Sequence, residues 1–302
     1  MRLANVDGRA VLLTSDTDGI DVADASAGKF GPDLAEIYLE WDGFRAWAED
    51  AVAREDSADA RTAFTRAQLD SPSPAPRQIV AIGLNYSSHA AESGFEAPTG
   101  LPPTFTKFVT SLTGPDTEVT LPPGGNTDWE VELVAVIGRA ATNVDEADAW
   151  DHVAGLTIGQ DLSERVSQLA GPAPQFSLGK SFPGFAPVGP WLVTTDELPD
   201  RDDLPLGCAI DGETVQDGRT RDLIHSVPRL IAALSRTITL LPGDLVFTGT
   251  PAGVGAGRSP QRFLQDGEEL HSWIEGLGEQ RQRFVATPVS ADDLATNDSG
   301  EA

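Results

Sequence analysis

The run Asp128-Trp129-Glu130-Val131-Glu132-Leu133-Val134-Ala135-Val136-Ile137 opens on acids and passes into unbroken apolar and β-branched residues. This is how a strand buried along most of its length reads. Residues two apart in a strand share a face, so Glu130 and Glu132 stand side by side, roughly 7 Å apart at the backbone. Two like charges on a buried face require protonation, a basic partner or a cation, and the run contains no Lys or Arg. Oxygen ligands without Cys or clustered His suit a hard divalent ion such as Mg2+ or Mn2+. The alternative is a solvated edge strand with two exposed glutamates.

A chain of 302 residues has room for one large domain, or a large and a small one. A formal net charge of −26 argues against a nucleic-acid partner or an anionic membrane surface, since both would repel it. Positive charge comes almost entirely from arginine, the lysines being Lys29, Lys107 and Lys180. Poverty in Lys with abundant Asp fits high-GC coding or a salt-tolerant host. Cys208 stands alone, which excludes an intramolecular disulfide and a cysteine metal site. With no apolar stretch of about 18 residues and no basic-then-apolar start, the expectation is a soluble, cytoplasmic protein.

Residues 1–74 read as a small N-terminal α/β unit with a proline-rich end. Met1 to Leu13 is a strand pair about the Asp7-Gly8 turn, Ile20 to Ala23 a further strand, and Gly43 to about Leu69 a helical region. No convergent chemistry is legible there. Ser71-Pro72-Ser73-Pro74-Ala75-Pro76 reads as an extended linker. Residues 75–288 would then form the main domain, and 289–302 a disordered acidic tail.

Within the main domain, Gln78 to Gly83 reads as a short strand and Asn85 as the N-cap of a helix. On that helix His89 and Glu92 stand three apart and share a face, so a carboxylate can fix the tautomer and raise the basicity of the imidazole, as a general base needs. Such neighbours are also common on helix surfaces. Gly94 and Pro98 end the helix. Phe105-Thr106-Lys107-Phe108 alternates as a strand; Asp145 to Val153 reads as helical. Asp161 closes the apolar run Ala154 to Gln160, a position from which a third carboxylate reaches a cation held by Glu130 and Glu132. Arg165 and Gln168 fall three apart on a short helix. Lys180, between Gly179 and Ser181, would pair with the acids or stabilise an oxyanion. Leu223 to Leu234 has helical period. Gly243 to Gly255 runs from a buried strand into a loop of small residues whose amides and hydroxyls suit an anion. Its Gly253-x-Gly255-x-Gly257 spacing lacks the helix and distant acid of a dinucleotide site. No Gly-x-Ser-x-Gly string supports a serine hydrolase. The last strand pair is expected over Glu268–Glu275 and Arg281–Val285.

Five strings occur in an order that resembles the fumarylacetoacetate hydrolase superfamily: Gly83-Leu84-Asn85-Tyr86-Ser87-Ser88-His89-Ala90-Ala91-Glu92, Trp129-Glu130-Val131-Glu132-Leu133, Gly159-Gln160-Asp161, Gly179-Lys180-Ser181-Phe182, and Thr248 to Gly255. The resemblance spans about residues 78 to 285. It implies an α+β, mostly β fold of rolled mixed sheets, a homodimer, and one Mg2+ or Mn2+ per site. Carried over by position, Glu130, Glu132 and Asp161 would ligate the metal and His89 with Glu92 would activate water on a lid. Lys180 and Gln168 would face the reacting oxygen, while Thr250, Gly249 and Arg165 would bind substrate. The implied reaction is hydrolysis of a C–C bond in a 2,4-dioxo acid of acylpyruvate type through an enolate. Decarboxylation of an oxaloacetate-like acid and isomerisation of a 2-hydroxydienedioate are the neighbouring readings, and a non-catalytic binding protein of the same fold is a third. Pro183, Val166 and the stretch Glu279 to Gln282 depart from the family pattern, which leaves the substrate open.

Overall fold

The computed structural model describes residues 1–53, 60–92, 94, 96 and 100–287. The expected acidic tail and Pro98 lie outside them. Strands β1 (Arg2–Val6) and β2 (Arg9–Leu13) form the expected hairpin; Asp7 and Gly8 both have positive φ, as a tight two-residue turn requires. Strand β3 (Asp18–Asp21) and helices α1 (Val22–Ala25), α2 (Leu34–Leu39) and α3 (Trp41–Ala53) follow. Asp21 and Asp33 cap α1 and α2 by accepting from the amides of Asp24 and Ala35. The helical reading of 43–69 holds to Ala53 and fails from Arg61 on, residues 54–59 lying outside those described. Residues 61–70 return as β4 (Arg61–Ala63), a 3-10 turn and β5 (Leu69–Asp70), because pairing with β3 and β1 outweighs local propensity.

The proline-rich segment is held in place at several points. Asn5 donates to the Ser71 carbonyl (3.0 Å), Tyr38 to that of Pro72 (2.8 Å), and the Ser73 hydroxyl to that of Gly243 (2.6 Å). Beyond it come β6 (Ile79–Ile82), α4 (Ser87–Glu92), β7 (Thr104–Thr106), β8 (Leu112–Thr113), β9 (Asp116–Leu121), β10 (Thr127–Asp128), β11 (Val131–Ile137), β12 (Val153–Gln160) and β13 (Ser163–Glu164). Then follow α5 (Arg165–Gln168), α6 (Phe176–Gly179), β14 (Ala186–Val193), β15 (Pro205–Ile210), β16 (Glu213–Arg219), α7 (Val227–Ser235), β17 (Leu245–Phe247), β18 (Glu269–Ile274) and β19 (Gly278–Ala286).

These strands make a mostly β structure. The larger sheet runs β4-β3-β2-β1-β14-β12-β11-β17-β6-β7, with β5 on β1 and β8 on β14; the smaller runs β16-β15-β18-β19-β9. Both are mixed, since β6–β17, β8–β14 and β9–β19 pair in parallel. Alternation along β11 and β12 separates two cores. Val131, Leu133, Leu156 and Ile158 meet Leu206, Ile274 and Phe284 of the smaller sheet, whereas Val134 and Val136 face the side covered by Ile37, Tyr38 and Phe44 of the N-terminal helices. Strand β11 is buried on both faces, so the edge-strand alternative for Glu130 and Glu132 is excluded.

Two local expectations are corrected and one is refined. Asn85 does not cap α4; its amide bridges two chain segments instead, donating to the carbonyls of His225 (2.9 Å) and Thr248 (2.8 Å) and accepting from the His225 amide (2.8 Å). The Asp145–Val153 stretch is a 3-10 helix over Glu146–His152. Helix α7 starts at Val227, with Pro228 in the first turn, where its missing N–H leaves no bond unmade.

Candidate active site

Antiparallel pairing of β11 with β12 sets Glu132 opposite Gly159, and the Asp161 amide donates to the Glu130 carbonyl (2.9 Å). The three acids therefore meet at one end of one sheet face. Their carboxylate oxygens lie within 4.8 Å of one another, all buried. Gly159 makes room: a Cβ there would come within 2.5 Å of the Phe247 ring and 2.6 Å of the Val134 side chain.

Cations surround the trio. The Lys180 ammonium donates to Glu130 Oε2 (2.7 Å) and Asp161 Oδ2 (2.5 Å) and lies 4.9 Å from the centre of the Phe105 ring. Arg165 reaches Glu130 Oε1 at 2.8 Å and Asp128 Oδ2 at 2.7 Å. Burial pushes the Glu130 carboxyl up, but Lys180 and Arg165 outweigh it and hold the group below the ordinary carboxylate range. Burial also pushes Glu132 up, and there the charges of Asp161 and Glu130 add to it, so Glu132 sits well above that range despite a 2.7 Å hydrogen bond from the Gly249 amide. Burial lowers Lys180, yet Asp161 and Glu130 bring it above its usual value.

Helix α4 presents His89 and Glu92 as expected from their spacing, with Nδ1 and Oε1 2.8 Å apart. Glu92 Oε2 also accepts from the Gly253 amide (2.9 Å), so the dyad is tied to the small-residue loop. Arg165 Nη1 donates to Gln168 Oε1 (2.9 Å), which leaves the amide NH2 of Gln168 to act as a donor. Thr250 and Gly249, expected to bind substrate, are both engaged within the protein. The Thr250 hydroxyl donates to the Val131 carbonyl (2.9 Å) and accepts from Gln216 (2.8 Å), and the Gly249 amide is engaged by Glu132. Both support the acid strand, and Gly249 adopts φ +101°, a conformation that glycine takes without strain.

Two residues passed over in the sequence belong to this constellation. Asp128, fully buried, accepts from the amides of Gly255 (2.6 Å) and Ala256 (2.9 Å) and from Arg165 (2.8 Å), binding loop and guanidinium together. Its signal was its place at the head of the acidic strand. Lys107 is also buried and donates to Asp161 Oδ1 (2.5 Å); its rarity in a chain with three lysines was the visible hint.

Three buried carboxylates without thiol or imidazole are a donor set for a hard divalent cation. The residues fit Mg2+ or Mn2+. No helix among the described residues is long and apolar enough to cross a membrane.

The scaffold is a mixed-sheet fold that gathers a buried acid trio, and comparison with known proteins gives its family. The sequence pattern of the fumarylacetoacetate (FAA) hydrolase C-terminal family matches residues 78–285. A provisionally named HpcE protein from Mycobacterium smegmatis shares 55% identity, with a TM-score of 0.88 over 95% of this chain and 100% of that one. Maleylpyruvate hydrolase from Sphingobium sp. SYK-6, crystallised with manganese(II) and pyruvate, shares 28% identity and a TM-score of 0.76 over 95% and 100%. A provisionally named hydrolase of Burkholderia cenocepacia (strain HI2424) is 48% identical over 68% of this chain and 73% of its own length. The chain belongs to the fumarylacetoacetate hydrolase family.

Proposed function

We propose that the protein is a divalent-metal-dependent hydrolase that cleaves a C–C bond in a 2,4-dioxo acid of acylpyruvate type. The observation that carries this reading is the meeting of Glu130, Glu132 and Asp161 within 4.8 Å beside Lys180. Mg2+ or Mn2+ held by these three would supply a Lewis acid for the carboxylate and 2-oxo oxygens of the substrate. The similarity to a hydrolase crystallised with manganese and pyruvate supports it, because pyruvate is the fragment that cleavage of an acylpyruvate leaves.

The residues divide the remaining work. His89 takes a proton from water, and Glu92, fixed by the Gly253 amide, stabilises the imidazolium that results. Attack falls on the 4-carbonyl carbon. Lys180 and the free NH2 of Gln168 donate to the oxygen that gains charge there, each worth roughly 3 kcal/mol if well aimed. The bond between C3 and C4 then breaks, and the proton that His89 took from water passes to C3, which completes a pyruvate-type product and a carboxylic acid. Arg165 positions Gln168 and Glu130.

The test is an assay of the purified protein, with Mg2+ or Mn2+, against acylpyruvates, oxaloacetate and a 2-hydroxydienedioate. Hydrolysis of an acylpyruvate is expected, and His89→Ala should lower kcat by about 100-fold or more while leaving Mn2+ binding intact. Turnover of oxaloacetate or the dienedioate alone, with acylpyruvates untouched, would replace hydrolysis by decarboxylation or isomerisation. Near wild-type hydrolysis by His89→Ala would remove His89 from its role.

A further inference from the structure

Nothing in the hydrolysis scheme uses Lys107. Its side chain is completely buried, and its ammonium donates to Asp161 Oδ1 (2.5 Å), the Lys180 carbonyl (2.5 Å) and the Leu162 carbonyl (3.4 Å). A lysine ammonium has three protons, and each has an acceptor here. Two of the acceptors are main-chain carbonyls, so Asp161 alone does not decide where the ammonium sits. The backbone around it is also fixed. The Lys107 amide donates to the Ile79 carbonyl (3.0 Å), and the amides of Thr106 and Phe108 donate to the hydroxyls of Ser177 (3.3 Å) and Ser181 (2.9 Å) on either side of Lys180.

Asp161 therefore meets a stationary cation on Oδ1 and turns Oδ2 toward Glu130 Oε2, the two oxygens that share the Lys180 ammonium. We infer that Lys107 is a positioning residue that restricts Asp161 to one ligating oxygen and thereby favours small octahedral cations over Ca2+. Ca2+ accepts six to eight oxygens and takes carboxylates through one oxygen or both, at about 2.3–2.6 Å; Mg2+ requires six ligands near 2.1 Å. Locking Oδ1 withdraws the second oxygen that the larger ion would use. The inference rests on the acid trio being a cation site.

Charge alone gives a different expectation. Removing a positive group raises affinity for every divalent ion alike, so the ratio between two ions isolates the geometry. Titration calorimetry with Mn2+ and with Ca2+ on the full chain and on Lys107→Met is expected to show the Ca2+ to Mn2+ affinity ratio rising about tenfold in the variant. A ratio in Lys107→Met within about twofold of wild type overturns the inference. If Lys107→Met shows no cooperative melting, crystals of the wild type with Mn2+ decide. Asp161 bound through Oδ2 with Oδ1 still on Lys107 supports the assignment, and both oxygens on the ion overturn it. Wild-type protein that binds neither ion removes the cation site itself, and this inference with it.

Discussion

Glu132 is 1% exposed and has two further carboxylates within reach, so its proton is hard to remove. Its pKa is raised in the folded state by burial first and then by Asp161 and Glu130. A raised carboxyl binds its proton more tightly folded than unfolded. The stability this confers is complete below the ordinary carboxylate range and is lost as pH rises toward the folded value. A bound cation would take the proton's place. In EDTA, the Tm should therefore fall as pH rises above the ordinary carboxylate range, and the gain in Tm from Mn2+ should widen over the same interval. Glu132→Gln should flatten the EDTA profile, and an unchanged slope in that variant would assign the effect to other groups. Asp128 acts on stability rather than on chemistry. Asp128→Asn leaves part-buried Arg165 short of one charged partner and should cost about 2 kcal/mol in urea unfolding; a loss under about 0.5 kcal/mol would mean that Glu130 compensates.

At the scale of the element, α4 is six residues long and is held to the rest of the site through Glu92 and the Gly253 amide. Glu92→Ala should raise hydrogen exchange of the Ser87–Glu92 amides while leaving β11 protected, and kcat should drop with it. Unaltered exchange in α4 would show that other packing holds it. Sequence pattern revealed the elements that carry chemistry on a strong period: the buried run of β11, the strand closing on Asp161, and the His89–Glu92 spacing. It missed what long-range pairing decides. Arg61-Thr62-Ala63 is a strand because β3 lies beside it. The roles of Lys107 and Asp128 were hidden for the same reason. Their partners, Lys180 and the Gly255 amide, are distant in the chain, and spacing carries no trace of them.

The whole molecule carries a formal charge of −26, and self-repulsion on that scale opposes compaction. Screening by salt should relieve it, so the Tm is expected to rise by several degrees between about 0.05 M and 1 M NaCl. A flat or falling profile would mean that the Arg–Asp pairs spread over the surface already balance the field. One sheet spans both sides of the proline-rich segment, since β1 pairs with β14, which the sequence divided at residue 75. The parallel neighbours β6 and β17 lead into the dyad helix and the small-residue loop, so both leave the sheet at the same end. The antiparallel pair β11 and β12 carries Glu132, with Glu130 and Asp161 one residue beyond its adjoining ends. The His89–Glu92 pair and the acid trio thus hang from separate strand pairings that share a border. On the proposed reading, drift in α4 and its loop would retune which molecules are accepted, while the trio, anchored on interior strands, stays as it was.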